Sequence, residues 1–119
     1  MNEGKLGAVE ARFADIIWEN EPMSTQGLVK LCEEHLQWKR TTTYTVLKRL
    51  SERGLFYNDN GVVRALVSRD EFYACQSERF IDDTFAGSLP AFLTAFTSRK
   101  KLTASEIEEI RKMIDSYQG

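Results

Sequence analysis

The stretch "LFYNDNGVVRALV", residues 55–67, constrains the fold more than any other. Two short runs rich in β-branched and aromatic residues, Leu55–Tyr57 and Val62–Val67, flank "NDNG". Asparagine and glycine readily take the positive φ of a tight hairpin turn. Everything before and after this hairpin is patterned for helices. Ala8 to Asn20 carries Val9, Phe13, Ile16 and Ile17 at helical spacing with Trp18 beside them, and "ENEPMS" breaks the pattern because Pro22 disfavours helix in Glu21. Ser24 serves as N-cap for a second helix bearing Leu28, Val29, Leu31, Cys32 and Leu36. Lys39 to Arg53 forms a third, ended by Gly54 in the left-handed cap position.

Beyond the hairpin, "SRDE" at Ser68–Glu71 is a capping box, opening a helix that runs towards Ala86. "GSLP" interrupts, a short apolar helix follows over Ala91–Thr97, and "TASE" at Thr103–Glu106 is a second capping box for a final helix. The expected class is mainly α: a winged helix-turn-helix of three helices plus a β-hairpin wing, then a helical tail. Residues 1–67 are expected to form the winged-helix domain, and residues 68–119 a C-terminal helical domain.

Net charge is −2 over 119 residues, which by itself argues against a nucleic-acid partner. Its distribution argues the other way. Between Trp38 and Arg64 six cations (Lys39, Arg40, Lys48, Arg49, Arg53, Arg64) face two anions (Glu52, Asp59), while the rest of the chain carries an excess of anions. A local basic stripe on an acidic protein suits phosphate binding, because the field at the contact matters more than the global sum.

The basic stripe coincides with "KRTTTYTVLKRLSER". At about 100° per residue, Thr43, Val46, Leu47 and Leu50 share one side and face the core. Thr41, Thr45, Lys48 and Glu52 lie opposite, with Thr42, Tyr44 and Arg49 on the flanks. Threonine hydroxyls serve phosphate oxygens or base edges, their methyls touch a thymine methyl, and their short side chains let the helix sit deep in the major groove. The expected DNA-binding residues are Lys39, Arg40, Thr41, Thr42, Tyr44, Thr45, Lys48 and Arg49 on this helix. The wing adds Arg64, with Asn58 and Asn60 near backbone or minor groove; the alternative there is a sheet that merely closes the core.

The tail carries Phe72, Phe80, Ile81, Phe85, Leu89, Phe92, Leu93, Phe96, Ile107, Ile110 and Ile114. Each is worth about 1.5–3 kcal/mol when fully buried, and three short helices cannot bury so many alone. A second copy of the chain is the expected cover.

These motifs resemble the penicillinase-repressor (BlaI/MecI) family, to which the copper-responsive CopY repressors are related. The likeness is carried by "LGAVEARFADIIWENEPMSTQGLV", "WKRTTTYTVLKRLSERGLF", "VVRALVSRDEF" and "RFIDDTFAGSLPAFL". It implies an N-terminal winged helix that binds palindromic operator DNA as a homodimer, C-terminal helices that dimerise, and release by an inducing signal. Lys39-Arg40 stands where the family has serine-proline, which adds charge and leaves the helix N-cap without an obvious side chain. The family's scissile Asn-Phe bond, the target of a sensor protease, corresponds to Ala95-Phe96, where alanine replaces the asparagine. Copper-responsive relatives end in a cysteine-rich tail, whereas this chain ends "DSYQG".

Other functions fit the residues less well. The rival to DNA readout is a winged-helix module that binds an acidic protein partner through the same stripe. For catalysis the candidates are Asp82-Asp83, about 100° apart on a helix, and His35 with Cys32, which lack a third orienting group. Cys32 and Cys75 with one histidine cannot supply the four spaced ligands of a structural zinc site, so no metal or cofactor is expected. Both cysteines are expected to be buried small residues in a reducing compartment. No apolar run is long enough to span a membrane and no signal peptide opens the chain, so the expected location is cytoplasmic.

Overall fold

Helices α1 (Ala8–Asn20), α2 (Thr25–Leu36) and α3 (Arg40–Glu52) come first in a computed structural model that describes residues 5–119. A two-residue strand β1 (Met23–Ser24) lies between α1 and α2, and the wing is β2 (Phe56–Asp59) and β3 (Val62–Ala65). Helices α4 (Arg69–Phe85), α5 (Leu89–Arg99) and α6 (Ala104–Ser116) complete the chain. The mainly α winged-helix architecture is as the sequence predicts.

Local chemistry explains each boundary. The wing turns on Asn60 and Gly61, both at positive φ (51° and 87°), as a two-residue hairpin with two left-handed central positions requires. The Asn58 side-chain oxygen accepts from the Gly61 N–H at 2.8 Å, so Asn58 is spent on the turn. Gly54, at φ 85°, ends α3 in a Schellman arrangement: the Leu55 N–H reaches the Leu50 carbonyl and the Gly54 N–H the Ser51 carbonyl. Strand β1 was not expected. Ser24 pairs with Val62, placing β3 at the centre of an antiparallel sheet ordered β1-β3-β2, while its hydroxyl caps α2 by accepting from the Gly27 N–H at 2.9 Å.

Both capping boxes form. Ser68 and Glu71 exchange bonds of 2.9 and 3.0 Å at the start of α4, and Thr103 and Glu106 do the same at α6. The Ser68 backbone N–H, then its hydroxyl, hold the Glu71 carboxyl below its ordinary range. This contribution is complete above the ordinary carboxylate pKa and is lost as pH falls through the lowered folded-state value. Ser68→Ala removes the hydroxyl half of the box and should cost about 1 kcal/mol, read as a lowered thermal midpoint. Helix α5 starts earlier than expected because Pro90 sits in its first turn, where its missing N–H is no loss, and Ser88 caps it by accepting from the Ala91 N–H at 3.0 Å.

The described chain divides into two compact units, the first ending at Arg79 and the second beginning at Phe80, so the division falls inside α4 rather than at its start. Phe13, Ala14, Ile17, Leu28, Cys32, Leu36, Val46, Leu47, Leu50, Leu55, Phe56, Val63 and Phe72 form the core of the first unit. Phe72 corrects an expectation. It is 8% exposed and packs on Trp18 at 5.8 Å and on Tyr73 at 5.1 Å, so it belongs to the winged-unit core and not to a free apolar face. The Trp18 ring N–H donates to the Val67 carbonyl and Arg69 pairs with Asp15 at 2.9 Å, fastening the beginning of α4 to α1.

In the second unit Phe80, Phe85, Phe92 and Phe96 form an aromatic cluster with ring centroids 5.7–6.2 Å apart. Helices α5 and α6 nevertheless contain no buried residue.

Candidate nucleic-acid interface

Helix α3 is positioned from below and from its entrance. Thr43, Val46, Leu47 and Leu50 are buried, as the helical angle predicts, leaving Thr41, Thr42, Thr45, Lys48, Arg49 and Glu52 exposed. Burial of a threonine needs a partner for its hydroxyl, and Thr43 donates to the Lys39 carbonyl at 3.2 Å. The entrance is the turn from α2, where Gln37 takes a left-handed φ of 55° and the Trp38 ring stacks on Phe13 at 5.3 Å. Phe13 and Trp38 were not assigned a part in the site, yet they anchor the turn that aims α3.

The N-terminus of α3 is open. Lys39 is the N-cap and makes no side-chain capping bond, so the first N–H groups of the helix and the positive end of its dipole face outward between two cations. Arg40 lies over the Tyr44 ring at 5.4 Å, one turn on, which restricts its guanidinium while leaving it exposed. Among the described residues Lys39 and Lys48 have no ion-pair partner.

The threonines are not equivalent. The Thr45 hydroxyl donates to the Thr41 carbonyl at 2.8 Å, so its proton is committed and it meets a ligand through its lone pairs and methyl group. The exposed hydroxyls of Thr41 and Thr42 make no hydrogen bond to the described residues and leave their donors open.

Two expected residues are engaged within the protein. Arg49 pairs with Glu10 of α1 through Nε and Nη2, both at 3.0 Å. Arg64 faces Asp59 across the wing at 3.8 Å, which cancels the single formal positive charge the wing offers. Glu10 carries no signal at the sequence level beyond its place in the first turn of α1.

The rival catalytic groups do not assemble. Cys32 is fully buried, and burial pushes its thiol up against a smaller opposing bond from Thr43, so it stays protonated and unreactive. His35, Asp82 and Asp83 are exposed. Both cysteines are free, and Cys75 is exposed rather than buried. Among the described residues no cluster of His, Cys, Asp and Glu could hold a metal, and no helix is long and apolar enough to cross a membrane.

Comparison with known proteins agrees with this geometry. The family model described as penicillinase repressor matches residues 6–116. The methicillin resistance regulatory protein MecI of Staphylococcus aureus strain Mu50 is 24% identical over 115 residues, covering 93% of this chain and 94% of the relative. Proteins of the same name from Mammaliicoccus sciuri and Staphylococcus epidermidis are each 23% identical over the same extent. With a winged unit, an exposed basic α3 and a family match over nearly its whole length, the chain belongs to the penicillinase repressor family of DNA-binding transcriptional repressors.

Proposed function

We propose that the chain is a homodimeric repressor that reads a palindromic operator by placing α3 in the major groove of each half-site, and that an inducing signal releases it. The observation that carries this reading is the exposed face of α3, where Lys39, Arg40, Thr41 and Thr42 surround an uncapped helix N-terminus and Thr45 and Lys48 continue the face along the helix. Cations and open backbone N–H groups at the entrance grip phosphate, whereas the threonines allow close approach to base edges. A two-fold dimer doubles the short sequence that one helix reads and matches the symmetry of a palindrome.

The family membership places the chain among regulators and not enzymes. Of the release routes that the family resemblance implies, a sensor protease acting at Ala95-Phe96 would meet an exposed pair of residues inside α5. Cleavage there requires that part of the helix to open first.

Selection of genomic fragments bound by the protein tests the reading, with enrichment of a two-fold symmetric sequence as the expected result. Failure to enrich any palindrome would overturn it. Lys48→Ala should weaken binding to all duplexes and flatten the log–log salt dependence by about 0.9, the share of one phosphate contact. The measurement is a salt titration of duplex affinity.

A further inference from the structure

We infer that Glu10 is a positioning residue that withdraws Arg49 and Arg53 from the DNA, confining phosphate contact to the entrance and the Lys48 side of α3. This rests on the DNA-binding reading above and adds a control on which of its cations act.

The geometry is a convergence of two arginines, one helical turn apart, on a single carboxylate of another helix. Glu10 Oε2 accepts from Arg49 Nε at 3.0 Å and forms an ion pair with Nη2, also at 3.0 Å. Glu10 Oε1 accepts from the Gly7 N–H at 3.2 Å and lies 3.9 Å from Arg53 Nη1. Arg53 also donates to the Lys5 carbonyl. Both carboxylate oxygens are therefore occupied, and the Glu10 side chain is only 21% exposed.

The Arg49 side chain, by contrast, is 53% exposed, so its pairing is not forced by lack of water. To reach a phosphate it must leave a charge-assisted bond and its ion pair, and strand a carboxylate that is largely shielded from solvent, which is unfavourable. A carboxylate in the first turn of α1 is also favoured by that helix's dipole. Lys48, the neighbour of Arg49 in sequence, is exposed with no such partner. The basic stripe is thus divided into cations that act outward and cations that tie α3 to α1.

The test is the salt dependence of affinity for a mixed-sequence DNA duplex, measured for the wild type, Glu10→Gln, Arg49→Ala and the double variant. Arg49→Ala should leave the slope at the wild-type value. Glu10→Gln should tighten binding and steepen the slope by about 0.9, the share of Arg49, while Arg53 keeps its bond to the Lys5 carbonyl. Adding Arg49→Ala to Glu10→Gln should return the slope towards the wild type. A flattened slope for Arg49→Ala alone would overturn the inference, since Arg49 would then be a phosphate contact already. So would a steepening by Glu10→Gln that survives undiminished in the double variant, because it would report removal of a negative charge and nothing more. If Glu10→Gln fails to fold, the slope of Arg49→Ala still decides. Loss of the DNA-binding reading itself looks different: the wild type would not bind duplex at all, or Lys48→Ala would leave its slope unchanged.

Discussion

Phe13→Ala is expected to destabilise the winged unit by about 3–5 kcal/mol, as for other fully buried aromatic residues cut to alanine. Phe13 is completely buried in α1 and is among the largest side chains of the core. Domains of this size are stable by only about 5–15 kcal/mol, so the variant should lose a large share of that margin and show a strongly lowered thermal midpoint. Its second role makes the effect specific to function. The Phe13 ring lies nearly parallel to that of Trp38, at 29°, and Trp38 sits in the turn that delivers α3. Phe13→Leu separates the two roles, since it keeps most of the buried volume and forfeits the ring stack, worth about 0.5–1.5 kcal/mol. The expected result is a folded protein with a modestly lowered urea midpoint, altered tryptophan fluorescence and weaker duplex binding. A Phe13→Leu protein with unchanged fluorescence and affinity would remove Trp38 from the positioning of α3.

Much of the fold can be read from short-range chemistry. The two capping boxes, the Asn60-Gly61 turn and the Gly54 stop each depend on residues three or four positions apart, and each appears at its expected place. Where the reading fell short, the deciding partner was distant or the pattern too short. Strand β1 has two residues, too few to alternate, and exists because β3 offers it an edge. Pro90 reads as a helix breaker until its position in the first turn is known. Periodicity correctly makes Phe72 apolar on its helix but cannot say against what it packs; Trp18 supplies the answer.

The candidate site shows the same division. Which residues of α3 face the core follows from about 100° per residue, and the buried set Thr43, Val46, Leu47 and Leu50 agrees. Which exposed cations are available does not follow, because Arg49 meets a carboxylate 39 positions away in sequence. The side-chain proton of Thr45 is likewise committed by the backbone geometry of the preceding turn, invisible in composition. Helical angle sorts the faces of a helix, but availability of each group on a face is settled by neighbours that tertiary structure brings.

In the proposed dimer, Ile114→Glu is expected to separate the two copies and to lower operator affinity by orders of magnitude, while leaving the winged unit folded. The argument begins with what α6 exposes. Ile107, Ile110, Met113 and Ile114 fall within about 120° of one another on the helical wheel, and Tyr117 follows at the C-cap. Four of them are 40% exposed or more, with Met113 at 71% and Ile114 at 66%. An apolar stripe of this extent is disfavoured in a lone chain and supports the proposed interface. A glutamate at its centre would have to be buried without a partner in the dimer, at a cost of several kcal/mol, yet would be harmless in a monomer where the site is open to water. The helix itself should persist, since glutamate is a good helix former and the Thr103–Glu106 capping box is untouched. Sedimentation should report the monomer mass, and thermal unfolding of the winged unit should be little changed. Each half-site would then be held by a single α3, so the gain from linking two readers is lost. An Ile114→Glu protein that remains dimeric would move the interface off α6, and one that is monomeric yet binds a palindrome at full affinity would show that a single winged unit suffices for recognition.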